Sequence, residues 1–496
     1  MDAPSPPPPP AALDAREIRS IFAGIMLAMF LAALDQTIIA TALPLISRDL
    51  GDVQNLPWVA TAYLLAATAV TPLYGKASDI YGRRVMLLLG IATFVAGSIA
   101  CALAPSMLVL VLARGLQGLG GGGLISLAQT IIADIVSPKE RGRYQVRIAG
   151  VFLVSGLAGP FLGGFLAQHF HWSAIFWINV PLGLVAFALT NTLLRKLPRH
   201  DRPHRLDIAG AALMALATTS LMLALNGEGA QIGKGSYWFA ALIGASVVMW
   251  VLFALRLRFA GEPLVPLRVL ANPVVRTAAI ASSLAVGTNV AMTIYVPIYL
   301  QAEMQLSASA SGIALIPMMA GGVIGAMISG RTMARVRHYK RLPLFGLTVA
   351  TLAMALVAFL GTRLTLFPFV SMLGLTSIAL GTMFPVATVA IQNAVAHQDM
   401  GIATASMNFF RQLGGAILVA AYGAIVLGGA SGAEASSVEE LSRNAAAGGA
   451  DLAFLFRLVF AAAALGFGGA LLAFALMEER PLRGTRPGAA AAVEPH

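Results

Sequence analysis

The sequence predicts an all-α integral membrane protein with fourteen transmembrane helices. The first observation behind this prediction is composition: 58% of the 496 residues are hydrophobic, only 11% are charged, and the mean hydropathy is +0.80. Soluble chains are about 45–50% apolar and about 25% charged, so a soluble protein is excluded. Because each span needs roughly 20 mostly apolar residues, fourteen spans leave no room for a sizeable catalytic domain. We therefore expect no enzyme.

The second observation is the regular succession of apolar stretches. Residues 1–19 are proline-rich and lack the apolar core of a signal peptide, so they are predicted to form a disordered cytoplasmic tail. Hydropathy then predicts spans at residues 20–46, 56–75, 84–104, 106–135, 144–168, 173–194, 207–225, 236–257, 273–300, 311–333, 341–361, 364–392, 404–428 and 452–477.

The third observation is the alternation of basic residues between successive connections. With the N-terminus placed inside, 26 of the 33 Lys and Arg residues fall in cytoplasmic segments, four fall outside and three lie within spans. The positive-inside rule therefore predicts an even number of spans, both termini in the cytoplasm and a location in the cell (inner) membrane. The excess of positive charge is then a topology signal, and no nucleic-acid partner is expected.

Internal repetition divides the predicted spans into two groups. The first span and the ninth begin about 253 residues apart, and Gly75 and Gly159 map by 255 residues onto Gly330 and Gly414. We expect an N-terminal six-helix half, linkers that contain an inserted helix pair, a C-terminal six-helix half and a cytoplasmic tail. These regions cover residues 20–194, 195–272, 273–477 and 478–496.

Asp35 is the only one of the 22 acidic residues that lies well inside a predicted span. A carboxylate at that depth is costly, so it should face a cavity or a partner, where it can take up and release a proton. Arg114 lies at nearly the same depth on the fourth span, because both residues are roughly 12–15 Å from the outer end at 1.5 Å per residue. We expect the two to pair, directly or through Gln117. In the alternative, Asp35 only anchors two helices.

Two glycine-containing segments suggest moving parts. GKASDIYGRR at residues 75–84 is predicted to be a tight cytoplasmic turn, in which Asp79 receives a helix N-terminus or an arginine. This turn either acts as a gate that opens and closes during transport or serves only as a basic loop that sets the topology. The predicted gating residues are Gly75, Asp79, Gly82, Arg83 and Arg84. VSGLAGPFLGGFL at residues 154–166 predicts a kinked helix that packs closely through Gly159, Pro160, Gly163 and Gly164.

Other residues are weaker candidates. Arg411, early in the thirteenth span, either supports the second half or extends to the inner surface. A group of aromatic, methionine and amide side chains is suited to line an adaptable substrate cavity. In the alternative, these side chains face lipid or pack in the ordinary way. The candidate cavity residues are Gln117, Met292, Tyr295, Tyr299, Met318 and Phe384.

Several kinds of site are excluded. Gly118, Gly120 and Gly123 form a G-x-G-x-x-G pattern, but the preceding strand that a dinucleotide site requires is missing. GKGS at residues 233–236 lacks the first glycine of a P-loop, so no ATPase is encoded and uphill work needs an ion gradient. The single cysteine, Cys101, excludes a disulfide framework and a cysteine metal site. No cofactor or metal is expected.

These motifs, in this order and on these spans, resemble those of the major facilitator superfamily. HWSAIFWINVPLG (171–183), RLDIAG (205–210), YVPIYLQ (295–301) and FFRQLGG (409–415) are similar to its fourteen-span drug:proton antiporter family. The resemblance covers about residues 20–477. One departure is Ser155, where the fuller antiporter pattern has glycine, which weakens the expectation of tight packing there.

The resemblance implies the major facilitator fold and export of lipophilic small molecules or drugs by alternating access. It also implies proton coupling at Asp35, support from Arg114, gating at residues 75–84 and antiporter-type packing at residues 159–164. Because no further acid lies on the late spans, multiply charged cations are less expected than neutral, anionic or singly charged substrates. A dedicated exporter of one metabolite, natural product or siderophore stays open, as does a non-transporting receptor or scaffold. A periplasmic adaptor protein that meets the outer segment at about 429–451 also stays open.

Overall fold

The computed structural model describes residues 15–51, 55–56, 58–196, 206–225, 237–333, 335–336, 338–429 and 452–482. Most of both predicted tails, the linker at 197–205 and nearly all of the outer segment at 429–451 lie outside the described residues. Within the described part of the chain, the regular structure is helical and contains no strand.

The α-helices are numbered here in chain order, from α1 to α18. Their bounds are Ala15–Leu50, Trp58–Tyr81, Arg83–Ala102, Met107–Ile135, Pro138–His169, Ala174–Trp177, Asn179–Leu193, Ile208–Leu225, Tyr237–Phe259, Leu267–Ala271, Pro273–Ala302, Ala308–Ala314, Ile316–Met333, Arg341–Leu360, Leu366–Gly381, Met383–Ala394, Met400–Gly429 and Leu452–Ala475.

Twelve helical stretches in the described residues are long and apolar enough to cross a membrane. The sequence-based expectation of a multi-pass, all-helical protein is thus confirmed. Two further long helices, α2 and α17, fall outside this set, and each contacts several neighbouring helices.

Three predicted spans are interrupted, for a common reason. The sixth, tenth and twelfth spans break at Ile178, Leu315 and Thr382, where one helix ends and the next begins. In each case a proline follows two or three residues later, at Pro181, Pro317 and Pro385. A proline lacks the amide hydrogen that would continue the helix, and its ring crowds the preceding turn.

The hydrophobic core divides along the chain. Two clusters of buried side chains come from residues 21–194, and a third, larger cluster comes from residues 214–477. Helices α8 and α9 pack on each other, and α8 also contacts α2 and α17. Helix α9 is the most exposed of the twelve, with 11% of its most apolar window buried. Its surface is therefore suited to lipid.

Candidate functional site

An ion pair is enclosed among the first seven helices. Arg114 Nη1 on α4 lies 2.6 Å from Asp35 Oδ2 on α1, and the two side chains are 1% and 0% exposed. The depth argument from the sequence therefore placed these two residues correctly opposite each other. A buried ion pair is tolerated only where its remaining polar atoms also form hydrogen bonds. The stability of this pair therefore depends on its other neighbours.

Neutral amides complete the shell around the carboxylate. Asp35 Oδ1 accepts hydrogen bonds from Gln117 Nε2 at 2.8 Å and from Asn179 Nδ2 at 3.0 Å. Both amides also donate to Ser98 Oγ, at 3.1 and 3.0 Å, and Ser98 in turn donates to the carbonyl of Phe176. Side chains of α4 and α7 thus bind a carboxylate on α1, and Ser98 on α3 holds the two amides. The sequence reading missed Asn179 and Ser98; the available signal was a polar side chain inside an apolar span.

Arg114 keeps further contacts that do not depend on Asp35. Its Nε donates to the Val59 carbonyl at 2.9 Å, and Nη1 donates to Gln117 Oε1 at 2.6 Å. Its guanidinium carbon stands 4.5 Å from the centre of the Tyr63 ring, within cation–π range. These contacts hold the arginine in place independently of the carboxylate.

A second cluster joins α2 to α17 at the end of the bundle where α2 turns into α3, called here the Asp79 end. Arg83 Nη1 lies 2.5 Å from Asp79 Oδ1, and Arg83 Nε lies 2.9 Å from Asp134 Oδ2. Asp79 also accepts the backbone amides of Gly401 and Ile402, at 3.2 and 3.0 Å. The carboxylate therefore receives both an arginine and a helix N-terminus, the two partners that the sequence offered as alternatives.

Glycines allow this contact to be close. A methyl group on Gly75 would collide with the Ala405 side chain, and one on Gly401 would lie 2.5 Å from Asp79 Oδ1. Gly82 has φ 91°, a conformation that glycine adopts without strain, at the turn between α2 and α3. Arg84 points elsewhere: it binds Asn191 at the end of α7, inside the first group of helices. Of the five predicted gating residues, Gly75, Asp79 and Arg83 lie directly against α17.

The glycine motif of α5 packs on α1. A side chain on Gly159 would overlap the Thr37 hydroxyl, and one on Gly163 would overlap the Ile38 carbonyl. Pro160 is exposed on the outer face of α5, and Gly164 has open space beside it. Ser155 is buried, and its carbonyl accepts a hydrogen bond of 2.8 Å from Thr37 Oγ1. The expected close packing is thus present at two of the four positions.

Helices α11 and α17 repeat this arrangement. Ser283 Oγ on α11 donates to the Phe410 carbonyl on α17 at 2.8 Å. In the same way, Thr37 Oγ1 on α1 donates to the Ser155 carbonyl on α5. A side chain on Gly414 would lie 2.7 Å from Ser283 Cβ, and one on Gly287 would lie 2.7 Å from the Gly414 carbonyl. The same hydroxyl-to-carbonyl and glycine contacts therefore join α1 to α5 and α11 to α17.

A layer of buried amides also connects the two groups of helices. Asn408 Nδ2 on α17 donates to Gln129 Oε1 on α4 at 2.9 Å, and Gln392 Nε2 on α16 lies 3.3 Å from the Gln129 carbonyl. One turn further along α17, Gln412 Oε1 accepts from Thr68 Oγ1 at 2.8 Å. The sequence reading did not single out these residues, which close the interface at the Asp79 end.

The predicted cavity residues separate in the structure. Met318 and Phe384 line a cavity of about 110 Å³ together with Asn289, Thr293, Met319, Gly322, Ser377 and Leu380. Met292 and Tyr299 are buried in the large core cluster, where Tyr299 packs on Phe369, Phe456 and Phe460. Tyr295 donates to the Val419 carbonyl at 3.2 Å, and Gln117 belongs to the Asp35 cluster.

Comparisons with known proteins agree with this architecture. The family model of the Major Facilitator Superfamily matches residues 25–419. The multidrug transporter protein MdtP of Bacillus subtilis is 30% identical over 410 residues, which cover 82% of this chain and 75% of the relative. Multidrug resistance protein 3 of the same organism is 32% identical over 406 residues, 81% of this chain and 78% of the relative.

Solved structures with a similar fold are more distant in sequence. A double-tryptophan mutant of XylE has a TM-score of 0.67 at 14% identity, covering 95% of this chain and 98% of that one. A bacterial homologue of the iron transporter ferroportin, in an outward-facing state, has a TM-score of 0.64 at 13% identity, covering 93% and 98%. At these identities the likeness shows the fold alone.

Proposed function

The chain belongs to the major facilitator superfamily and is a membrane transporter, not an enzyme; from this premise we propose that it exports lipophilic small molecules in exchange for protons. The observation that carries the proposal is the enclosed Asp35–Arg114 pair, one acid of α1 bound by side chains of α4 and α7 inside an apolar bundle. An ionisable group in that place is costly, and in membrane proteins such groups mark ion pathways. The names of the relatives, multidrug transporter and multidrug resistance protein, support drugs as substrates and export as the direction.

The geometry supports coupling as follows. Protonation of Asp35 removes the attraction between its Oδ2 and Arg114, while Arg114 stays bound to Val59, Gln117 and the Tyr63 ring. The bond between α1 and α4 then lacks its ion pair, and α1 is freer to shift against α4. Because α5 packs on α1 through Gly159 and Gly163, a shift of α1 also moves α5. A proton can thus bias the balance between two arrangements of the helices.

We further propose fourteen spans, arranged as six-helix halves around an inserted pair formed by α8 and α9. Helices α2 and α17 supply the two spans beyond the twelve most apolar ones. The division of the core at residues 21–194 and 214–477 supports halves at 20–194 and 273–477. The repeated contacts of Thr37 and Ser283 support an internal duplication. The contacts between α2 and α17 then lie at the cytoplasmic face and close that side.

The topology is tested by labelling from outside. In a Cys101→Ser background, a membrane-impermeant maleimide added to intact cells should label Lys234→Cys and not Lys139→Cys, because these lysines lie in outer and inner segments of the predicted topology. Both variants should label equally after the membrane is permeabilised. Labelling of Lys139→Cys alone in intact cells would invert the topology and contradict cytoplasmic termini.

The gate is tested by Asp79→Ala. This substitution removes the partner of Arg83 and the acceptor for the Gly401 and Ile402 amides, so the cytoplasmic contact should open. Spin labels at the cytoplasmic ends of α2 and α17 should report a longer mean distance, and gradient-driven export should fall severalfold. Arg84→Ala is the matched control, since Arg84 bonds only within the first half. An unchanged distance in Asp79→Ala would contradict the gating role.

The function itself is tested with purified protein in liposomes under an imposed pH gradient. One probe is ethidium, a lipophilic monocation. The other two, 2-naphthalenesulfonate and 2-naphthalenesulfonamide, share one aromatic ring system and differ in charge. We expect at least one probe to move uphill while the gradient lasts and to stop when a protonophore collapses it. Binding of probes without gradient-driven flux would favour a receptor and overturn the proposal.

A further inference from the structure

Arg411 is a cation inside the second half with no acidic partner among the described residues. It lies eleven residues into α17, about 16 Å along the helix at 1.5 Å per residue. Its Nε is buried and has no hydrogen-bond partner among the described residues, and its Nη2 donates to the Met407 sulfur at 3.6 Å. Its guanidinium carbon stands 5.6 Å from the Phe384 ring centre. This contrasts with Arg114, which has a carboxylate, an amide and a carbonyl.

The position of Arg411 is next to the interface that must open during transport. Its neighbours on α17, Asn408 and Gln412, both hydrogen-bond across to the first half, to Gln129 and Thr68. Phe384, which Arg411 contacts, also lines the cavity of about 110 Å³. The guanidinium therefore lies beside both the dividing surface and the cavity, and a molecule that contacts Phe384 is close to it.

The cavity wall suits a ligand with an apolar body. Met318, Met319, Leu380 and Phe384 supply apolar surface, and Asn289 and Ser377 supply neutral polar atoms. The residues that line the cavity include no acid. Ligand pockets are usually about 300–1,000 Å³, so this cavity has to enlarge as the halves separate before it holds a drug-sized molecule.

We propose that Arg411 binds the anionic group of a lipophilic organic anion during its export, with the aromatic or aliphatic body of the anion against Phe384 and the methionines. A guanidinium whose Nε is buried without a partner is costly to the empty protein, and a carboxylate or sulfonate satisfies its fork of donors in a bidentate manner. This inference rests on the proposed function, because it names the substrate class of the same transporter.

Equilibrium binding of 2-naphthalenesulfonate and of its neutral sulfonamide to the purified full-length protein tests the inference. Arg411→Gln should weaken sulfonate binding about tenfold or more, the usual cost of a charged hydrogen bond, and change sulfonamide binding less than about twofold. Arg411→Lys should recover part of the loss. Arg457→Gln, at an exposed arginine that bonds only the Ala358 carbonyl, should bind both probes as the wild type does.

A second test uses only the wild-type protein and so does not depend on the folding of a variant. Phenylglyoxal modifies arginine side chains, and mass spectrometry shows whether a bound probe protects Arg411. The sulfonate should protect Arg411 and the sulfonamide should not. The inference is overturned if wild type does not bind the sulfonate, if Arg411→Gln weakens both probes equally or neither, or if protection is absent. Failure of the proposed function can be distinguished from failure of this inference, because in that case no probe shows gradient-driven flux.

Discussion

Asp35→Asn is expected to abolish gradient-driven export while leaving the protein folded in the membrane. The asparagine keeps the size of the side chain and an oxygen that can accept from Arg114, Gln117 or Asn179, but it cannot take up a proton. Uphill transport should fall to the level of liposomes without protein. Downhill exchange of the probe, which needs no coupling, should persist in part.

The controls separate a coupling role from a structural one. Equal amounts of membrane-inserted, monodisperse protein show that the variant folds. Asp49→Asn removes an acid from the same helix at an exposed position, where it bonds Trp172 and His171, and should leave uphill export near the wild-type rate. If Asp35 only anchors helices, the asparagine keeps hydrogen bonds and the Asp35→Asn variant should still transport uphill. Uphill transport by this variant would contradict the coupling proposal.

Arg114→Met is expected to cause the largest loss of stability among single substitutions at the site. It leaves the Asp35 carboxylate buried without a countercharge and removes bonds to Val59 and Gln117. Breaking a buried pair from one side costs about 3–5 kcal/mol. The thermal unfolding midpoint of the purified protein should fall clearly.

A double substitution tests the reason for that loss. Asp35→Asn with Arg114→Met removes the unpaired charge, so the double variant should unfold at a higher temperature than Arg114→Met alone. Arg457→Met, at an exposed arginine on α18, should leave the midpoint nearly unchanged. Equal midpoints for Arg114→Met and the double variant would mean that lost packing, and not the unpaired charge, causes the instability.

Depth within the membrane made part of the site predictable from sequence. Asp35 and Arg114 are charged residues in apolar spans, and the rise per residue put them at one level, where the structure pairs them. Asn179 and Ser98 were missed because neutral polar side chains are common in transmembrane helices. Only the folded arrangement shows that Asn179 donates both to the Asp35 carboxylate and to Ser98.

Contacts between the groups of helices were not predictable in the same way. The sequence indicated that Asp79 would receive an arginine or a helix N-terminus, but nothing local in the sequence identified α17 as the helix. The Gln129–Asn408 contact likewise joins residues far apart in the chain. Arg84, expected at the gate, instead holds the end of α7, because its side chain leaves the turn on the other side.

The interrupted spans show a limit of a different kind. Hydropathy averages over about twenty residues and cannot register a break at one residue, so it predicts continuous spans through Ile178, Leu315 and Thr382. The prolines that follow them were visible in the sequence, but proline also occurs within unbroken helices here, at Pro72 and Pro160.

Proton movement driven by substrate is the most direct test of the central claim. Liposomes that contain the protein, a pH-sensitive dye and a transported probe on one side only, without an imposed pH gradient, should show proton flux opposite to the probe as it moves downhill. Asp35→Asn liposomes should move the probe, if at all, with no pH change. Probe movement by the wild type without any proton movement would contradict the account.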